Sequence, residues 1–126
     1  MTFSANASDP SNVLDGGALA RLADLDPQGS AGLVQRVLTT YAKALERSRQ
    51  ELLLVRRPLQ HEPLRHLAHT LKSSSASVGA LALSALCAQV EHNVRSQQPG
   101  DLGALLDAMQ AEMQRVAGAV QAMLRG

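Results

Sequence analysis

His69-Thr70-Leu71-Lys72-Ser73-Ser74-Ser75-Ala76-Ser77-Val78-Gly79-Ala80 lies near the middle of the chain, and the fold is read outward from it. Leu64, Leu67, Ala68 and Leu71 lead into the stretch and Val78 closes it. With the small Ser75 filling the gap, they form an apolar stripe of helical period. At about 100° per residue, His69 falls more than a quarter turn off that stripe, toward water. Arg65, His66, Lys72, Ser73 and Ala76 share its open face, at the spacings that bring side chains together on a helix surface. A titratable imidazole therefore stands on an exposed face, with cationic groups beside it and very small side chains one and two turns ahead. Such a face suits reversible loading of an anion onto the ring, with room for a partner to come close.

The helix carrying this face opens at His61-Glu62-Pro63. Pro63 takes its natural first-turn position and Glu62 complements the helix dipole. The serines at 73, 74, 75 and 77 are mediocre helix formers, and Ser74 and Ser75 read as close packing against a neighbouring helix. Gly79 ends the helix or permits a tight approach. Upstream, Val34, Val37, Leu38, Tyr41, Leu45, Leu52 and Val55 form the stripe of a long helix, with Ser48 as a small interruption. Ser30 is its expected N-cap, and Pro58 stops it. Before that come the turn Asp26-Pro27-Gln28-Gly29 and a short helix with Asp15 as N-cap and Leu19, Leu22 and Ala23 as its apolar face. Residues 1–12 are rich in Ser, Asn and Asp without periodicity and read as a flexible tail. Downstream, a fourth helix from Ala80 to about Gln97 turns Leu83, Leu86, Cys87, Val90 and Val94 inward and is broken by Pro99-Gly100. Asp101 is the expected cap of the last helix, whose stripe is Leu105, Leu106, Met109, Met113, Val116, Val120 and Leu124. Short connections make sequence neighbours antiparallel. The expected fold is all-α: an up-down-up-down four-helix bundle over residues 13–126 with a short additional N-terminal helix.

The totals agree. A chain of 126 residues is one domain, able to bury roughly two-thirds of its unfolded surface. Phe3 and Tyr41 are its only aromatics, which disfavours a sheet and leaves no stacking platform for single-stranded nucleic acid. A formal charge of +1 gives no polyanion-binding field. Cys87, the only cysteine, excludes an intrachain disulfide and a cysteine-based zinc cluster. No apolar run approaches the ~20 residues of a membrane span, and the start lacks a signal-peptide pattern. A soluble, cytoplasmic protein is expected.

The central dozen residues also resemble the signature of histidine phosphotransfer (HPt) domains, H-x-L-K-G-S-S-x-x-x-G-A. His69, Leu71, Lys72, Ser74, Ser75, Gly79 and Ala80 match it, and Ser73 stands where the family usually has glycine. Leu14-Asp15, Leu25-Asp26-Pro27, Leu86-Cys87 and Val90-Glu91 extend the resemblance at lower specificity. It implies a helical bundle whose exposed histidine shuttles a phosphoryl group between receiver-domain aspartates. His69 is then the phospho-acceptor and Lys72 an ammonium offsetting the charge of the loaded ring, a contact worth ~0.5–1 kcal/mol in solvent. Arg65, His66, Ser73 and Ala76 form the docking face for receiver domains of a hybrid sensor kinase or a response regulator. The expected protein is a monomer needing no cofactor of its own, with Mg²⁺ belonging to the receiver's aspartate pocket. Gln35, on the preceding helix, is a further candidate for the His69 face. No Gly-rich phosphate loop accompanies the histidine, so phosphorylation from ATP is not expected. Two other readings compete: a bundle that only binds a partner, and a metal site around His61, Glu62, His66 and His69. Zinc needs three or four ligands with a supporting shell, and inward Glu-x-x-His pairs for di-iron are absent from the sequence.

Overall fold

The computed structural model describes residues 13–96 and 99–126; the tail read over residues 1–12 lies outside the described residues, as does Gln97 at the expected end of the fourth helix. Five α-helices follow one another among the described residues: α1 (Gly16–Asp24), α2 (Leu33–Val55), α3 (His61–Ser77), α4 (Leu81–Arg95) and α5 (Leu102–Arg125). A 3₁₀ turn, Pro99–Asp101, leads into α5. The four long helices pack as a closed ring, α2 on α3, α3 on α4, α4 on α5 and α5 back on α2, with the α3–α4 seam the most extensive. This is the expected four-helix bundle with a short leading helix.

The apolar stripes read from the sequence meet at its axis. Leu45 and Leu52 of α2, Leu64 of α3, Leu83, Cys87 and Val90 of α4, and Met109, Met113 and Val116 of α5 are fully buried. Each such leucine contributes about 1.5–3 kcal/mol relative to an exposed one. Tyr41 and Ser75 tie α2 to α3 through a buried hydrogen bond between their hydroxyls, at 2.8 Å. Burial pushes the Tyr41 phenol up to about 12.

Several local expectations need correction. Asp15 does cap α1, accepting from Ala18 N at 3.0 Å, but Ala23 is exposed and Leu19 and Leu22 only half-buried. The helix docks by its beginning instead: Val13, Leu14 and Ala18 are buried, and Asp15 N donates to Gly79 O at 2.7 Å. Ser30 does not cap α2. The Asp26 carboxylate reaches across the turn to accept from Ala31 N and Leu33 N, and Gly32 takes the N-cap position at a left-handed φ of 63°. Asp101 stands at the N-cap of α5 without a side-chain capping bond. Its backbone continues the 3₁₀ turn (φ −104°, ψ 3°), whereas a capping residue needs an extended backbone to fold its carboxylate onto the first turn. Leu86 is half-buried, not inward.

Gly79 does both things its position allowed. It ends α3 at φ 85°, and a Cβ there would lie 2.7 Å from Asp15 O and 2.8 Å from Asp15 N. Glycine thus lets the α1 entry lie directly on the end of α3. Among the described residues no helix is long and apolar enough to cross a membrane.

Candidate functional site

The buried stripe of α3 is Leu64, Leu67, Ala68, Leu71 and Ser75. With those residues facing the axis, His66, His69, Ser73 and Ala76 are exposed, while Arg65 and Lys72 lie at the edges of the same face. The structure thus brings together on one surface the residues the sequence assigned to it. Gln35 is not among them. It lines a groove with Arg36, Thr39, Thr40 and Leu124, between α2 and the end of α5, on a different edge of the bundle from His69.

His69 is not a free surface histidine. Its side chain is 56% exposed, yet Nδ1 lies 2.9 Å from Oε2 of Glu91 on α4, whose side chain is only 4% exposed. Lys72 Nζ donates to the other oxygen, Oε1, at 2.7 Å. Arg95 Nη2 donates to Oε2 at 2.8 Å from the solvent side. One carboxylate at the α3–α4 seam therefore collects three nitrogens. Lys72's hydrogen bond, aided by His69's, holds the Glu91 carboxyl below the usual carboxylate range against the opposing effect of burial.

An ionised carboxylate only accepts hydrogen bonds. His69 Nδ1 must therefore carry its proton toward Glu91, and in the neutral ring the lone pair then sits on Nε2. A side chain that lies mostly in solvent is thus fixed in ring orientation and tautomer by one that does not.

The surroundings support this arrangement. Ser84 of α4 donates to the Lys72 carbonyl at 2.9 Å, pinning the two helices beside the site. Cys87 lies buried beneath it, its thiol pushed up to about 12 mainly by burial. Arg65 is held by both carboxylate oxygens of Glu62, at 2.8 and 3.0 Å. Ser77 donates to the Ser73 carbonyl, and Ser74 folds back on the Leu71 and Thr70 carbonyls. These local bonds satisfy serine hydroxyls that would otherwise compete with the helix.

Glu91 and Arg95 are the two site-bordering residues that sequence reasoning missed as such. A signal was present. Glu91 follows Cys87 by four residues on the α4 stripe, so an acid falls where that stripe meets its border, and Arg95 follows one turn later. Among the described residues no group of three or more His, Cys, Asp or Glu side chains is placed to hold a metal ion. The residues weighed as metal ligands lie apart in their bonding: Glu62 pairs with Arg65, and His69 faces Glu91.

The fold has solved counterparts. The crystal structure of histidine-containing phosphotransfer protein B from Pseudomonas aeruginosa PAO1 superposes with a TM-score of 0.78 at 24% identity, covering 90% of this chain and 95% of that one. A putative histidine-containing phosphotransfer protein from rice superposes with a TM-score of 0.74 at 23% identity, covering 98% of this chain and 84% of that one. No curated protein matches the sequence. The family model of the Hpt domain matches residues 32–119, from the N-cap of α2 to the last buried turns of α5, and encloses the whole site. The chain accordingly belongs to the Hpt domain family, the phosphoryl carriers of histidine phosphorelays.

Proposed function

We propose that His69 is the residue that carries the phosphoryl group, taking it from a receiver-domain aspartate and passing it to another. The observation that carries this reading is the Nδ1–Glu91 bond at 2.9 Å, which in the neutral ring puts the lone pair on Nε2 of a mostly exposed side chain. Nε2 attacks the phosphorus of an aspartyl phosphate, the P–O bond to the aspartate breaks, and the carboxylate leaves. The phosphorylated ring keeps its Nδ1 proton and gains positive charge, which Glu91 offsets. In the return step a second aspartate attacks phosphorus, the P–Nε2 bond breaks and the neutral ring is regenerated. Phosphoryl transfer needs positioning and charge stabilisation more than covalent help, and this site offers both.

Lys72 stabilises charge on the loaded ring. Ser73 and Ala76 keep the surface low for the receiver, with Arg65 and His66 at its margin. The carrier has no kinase activity of its own, and any Mg²⁺ the transfer uses belongs to the receiver's aspartate pocket. The chain acts as a monomer in the cytoplasm, where receiver domains operate.

The experiment is loading from a phosphorylated receiver. His69→Gln should abolish it while stability changes by no more than about 1–1.5 kcal/mol, the value of the lost ring bond, since Glu91 keeps Lys72 and Arg95. The adduct should be acid-labile and alkali-stable, as a phosphoramidate is. Loss of transfer in His66→Gln with retention in His69→Gln would overturn the assignment.

A further inference from the structure

Two cations share Glu91, and their placements differ. Lys72 belongs to the same helix as His69, one turn ahead, and binds Oε1, the oxygen that His69 does not use. Arg95 is the last residue of α4 and binds Oε2, the oxygen His69 does use. Residues three apart on a helix are surface neighbours, so Lys72 can reach phosphoryl oxygens on Nε2 by turning its flexible stem. Arg95 reaches that shared oxygen from the neighbouring helix, so it holds the oxygen that faces the ring while Lys72 holds the other. Arg65, the remaining cation of the face, is held on both oxygens of Glu62.

Loading changes the charges around Glu91. The phosphoryl group brings about two negative charges within a few ångströms of the carboxylate. If Lys72 alone neutralised Glu91, it could serve the phosphoryl group only by leaving a buried anion without a cation, a costly exchange. With Arg95 on Oε2, that exchange does not arise.

We propose that Arg95 is a positioning residue: it keeps Glu91 neutralised and aimed at His69 Nδ1 so that Lys72 is free to move from Oε1 to the phosphoryl group. The two cations have separate tasks, one fixed on the carboxylate and one mobile between carboxylate and phosphate. Arg95 touches neither the phosphoryl group nor the receiver aspartate and acts through Glu91. The inference rests on His69 being the acceptor.

The test uses phosphoramidate, a small donor that removes the receiver from the measurement. His69 Nε2 attacks its phosphorus, the P–N bond breaks and ammonia leaves, giving the same phosphohistidine. The lifetime of the ³¹P signal is followed in wild type, Arg95→Ala, Arg95→Lys, Lys72→Ala and the Arg95→Ala/Lys72→Ala double variant. Arg95 is 64% exposed, so its truncation should leave melting close to wild type. Arg95→Ala should shorten the lifetime about two- to fivefold, the range of a partly exposed charge contact, and Arg95→Lys should restore most of it. In the Lys72→Ala background, removing Arg95 should shorten the lifetime by a smaller factor than it does in wild type, because the cation it frees is already gone. Effects that multiply in the double variant, or a lifetime indifferent to Arg95→Ala, overturn the proposal and leave the acceptor assignment standing. A His69→Gln protein that still gives the phosphohistidine signal overturns the acceptor assignment, and this inference with it.

Discussion

Glu91→Ala is the substitution that most directly tests how the site works. The ring loses the acceptor that holds its proton on Nδ1, and both tautomers become available, one of them protonated at Nε2. The bond removed is charge-assisted, but its donor side chain is 56% exposed, so its value lies near the low end of such bonds, about 1–1.5 kcal/mol. If that energy acts on the attacking state, loading slows about tenfold. The cost to stability should be about 1–2 kcal/mol, not the larger loss of a fully buried pair, because the cations left behind are 34% and 64% exposed and rehydrate. Glu91→Gln separates the two effects. Its amide oxygen can still accept from Nδ1, so loading should stay within about threefold of wild type, whereas the attraction for Lys72 and Arg95 is lost. The pH dependence has a definite sign. The folded-state carboxyl lies below its ordinary value of 4.5, so its stabilisation is complete above that range and is lost as pH falls through the folded value. Wild type and Glu91→Gln should therefore differ in melting near neutrality and converge in acid. Loading is read by phosphoramidate kinetics, the tautomer by ¹⁵N shifts of the ring, and stability by urea denaturation. A Glu91→Ala protein that loads at the wild-type rate and keeps its proton on Nδ1 would refute the reasoning.

Three further outcomes are expected. Ser73→Leu should block exchange with a receiver yet leave phosphoramidate loading and stability nearly unchanged, because Ser73 is exposed one turn from His69; equal receiver exchange would remove the weight placed on small residues there. Gly79→Ala should destabilise by about 2 kcal/mol or more in urea denaturation, since the new Cβ meets the Asp15 backbone and φ is 85°; a neutral result would mean the α1 entry moves away at no cost. Tyr41→Phe should cost about 1–2 kcal/mol by stranding the Ser75 hydroxyl, and Tyr41→Phe/Ser75→Ala should recover part of it. The Tyr41 phenol is raised from 10.0 to about 12, so wild-type stability should fall as pH rises across that window, with Tyr41→Phe showing a shallower alkaline loss.

What the sequence revealed and what it withheld have distinct physical causes. Helical stripes are local patterns. Leu38, Tyr41, Leu45, Leu52 and Val55 on α2, or Met109, Met113, Val116 and Val120 on α5, announce their own burial without reference to other helices. The exposed face of α3 was legible for the same reason, as the complement of its stripe. Capping and cross-helix bonds are not local. Asp26 caps α2 from seven residues away because the turn between them folds back, and nothing at Ser30 reports that competition. The Glu91 contacts with His69 and Lys72 join residues 22 and 19 apart, across a seam whose register depends on how two stripes interlock. Gly79 was ambiguous between a helix stop and a close approach because its neighbour in space, Asp15, is far from it in sequence.

The position of that seam explains how a small bundle can keep an imidazole ring both exposed and oriented. A surface side chain normally samples several rotamers and both imidazole tautomers, and an acid placed beside it on the same exposed face would be equally mobile. Here the orienting group stands on the neighbouring helix with its carboxylate sheltered, while the groups that contact it remain partly wet. Burial gives Glu91 a fixed position, and Lys72, Arg95 and His69 supply the charge and hydrogen bonds that make its burial tolerable. The dependence runs in both directions: the anion orders the ring, and the cations keep the anion ionised. Such a site can exchange one cationic partner without exposing the core, because Lys72, Arg95 and His69 are all partly exposed while Cys87 and Val90 beside Glu91 are fully buried.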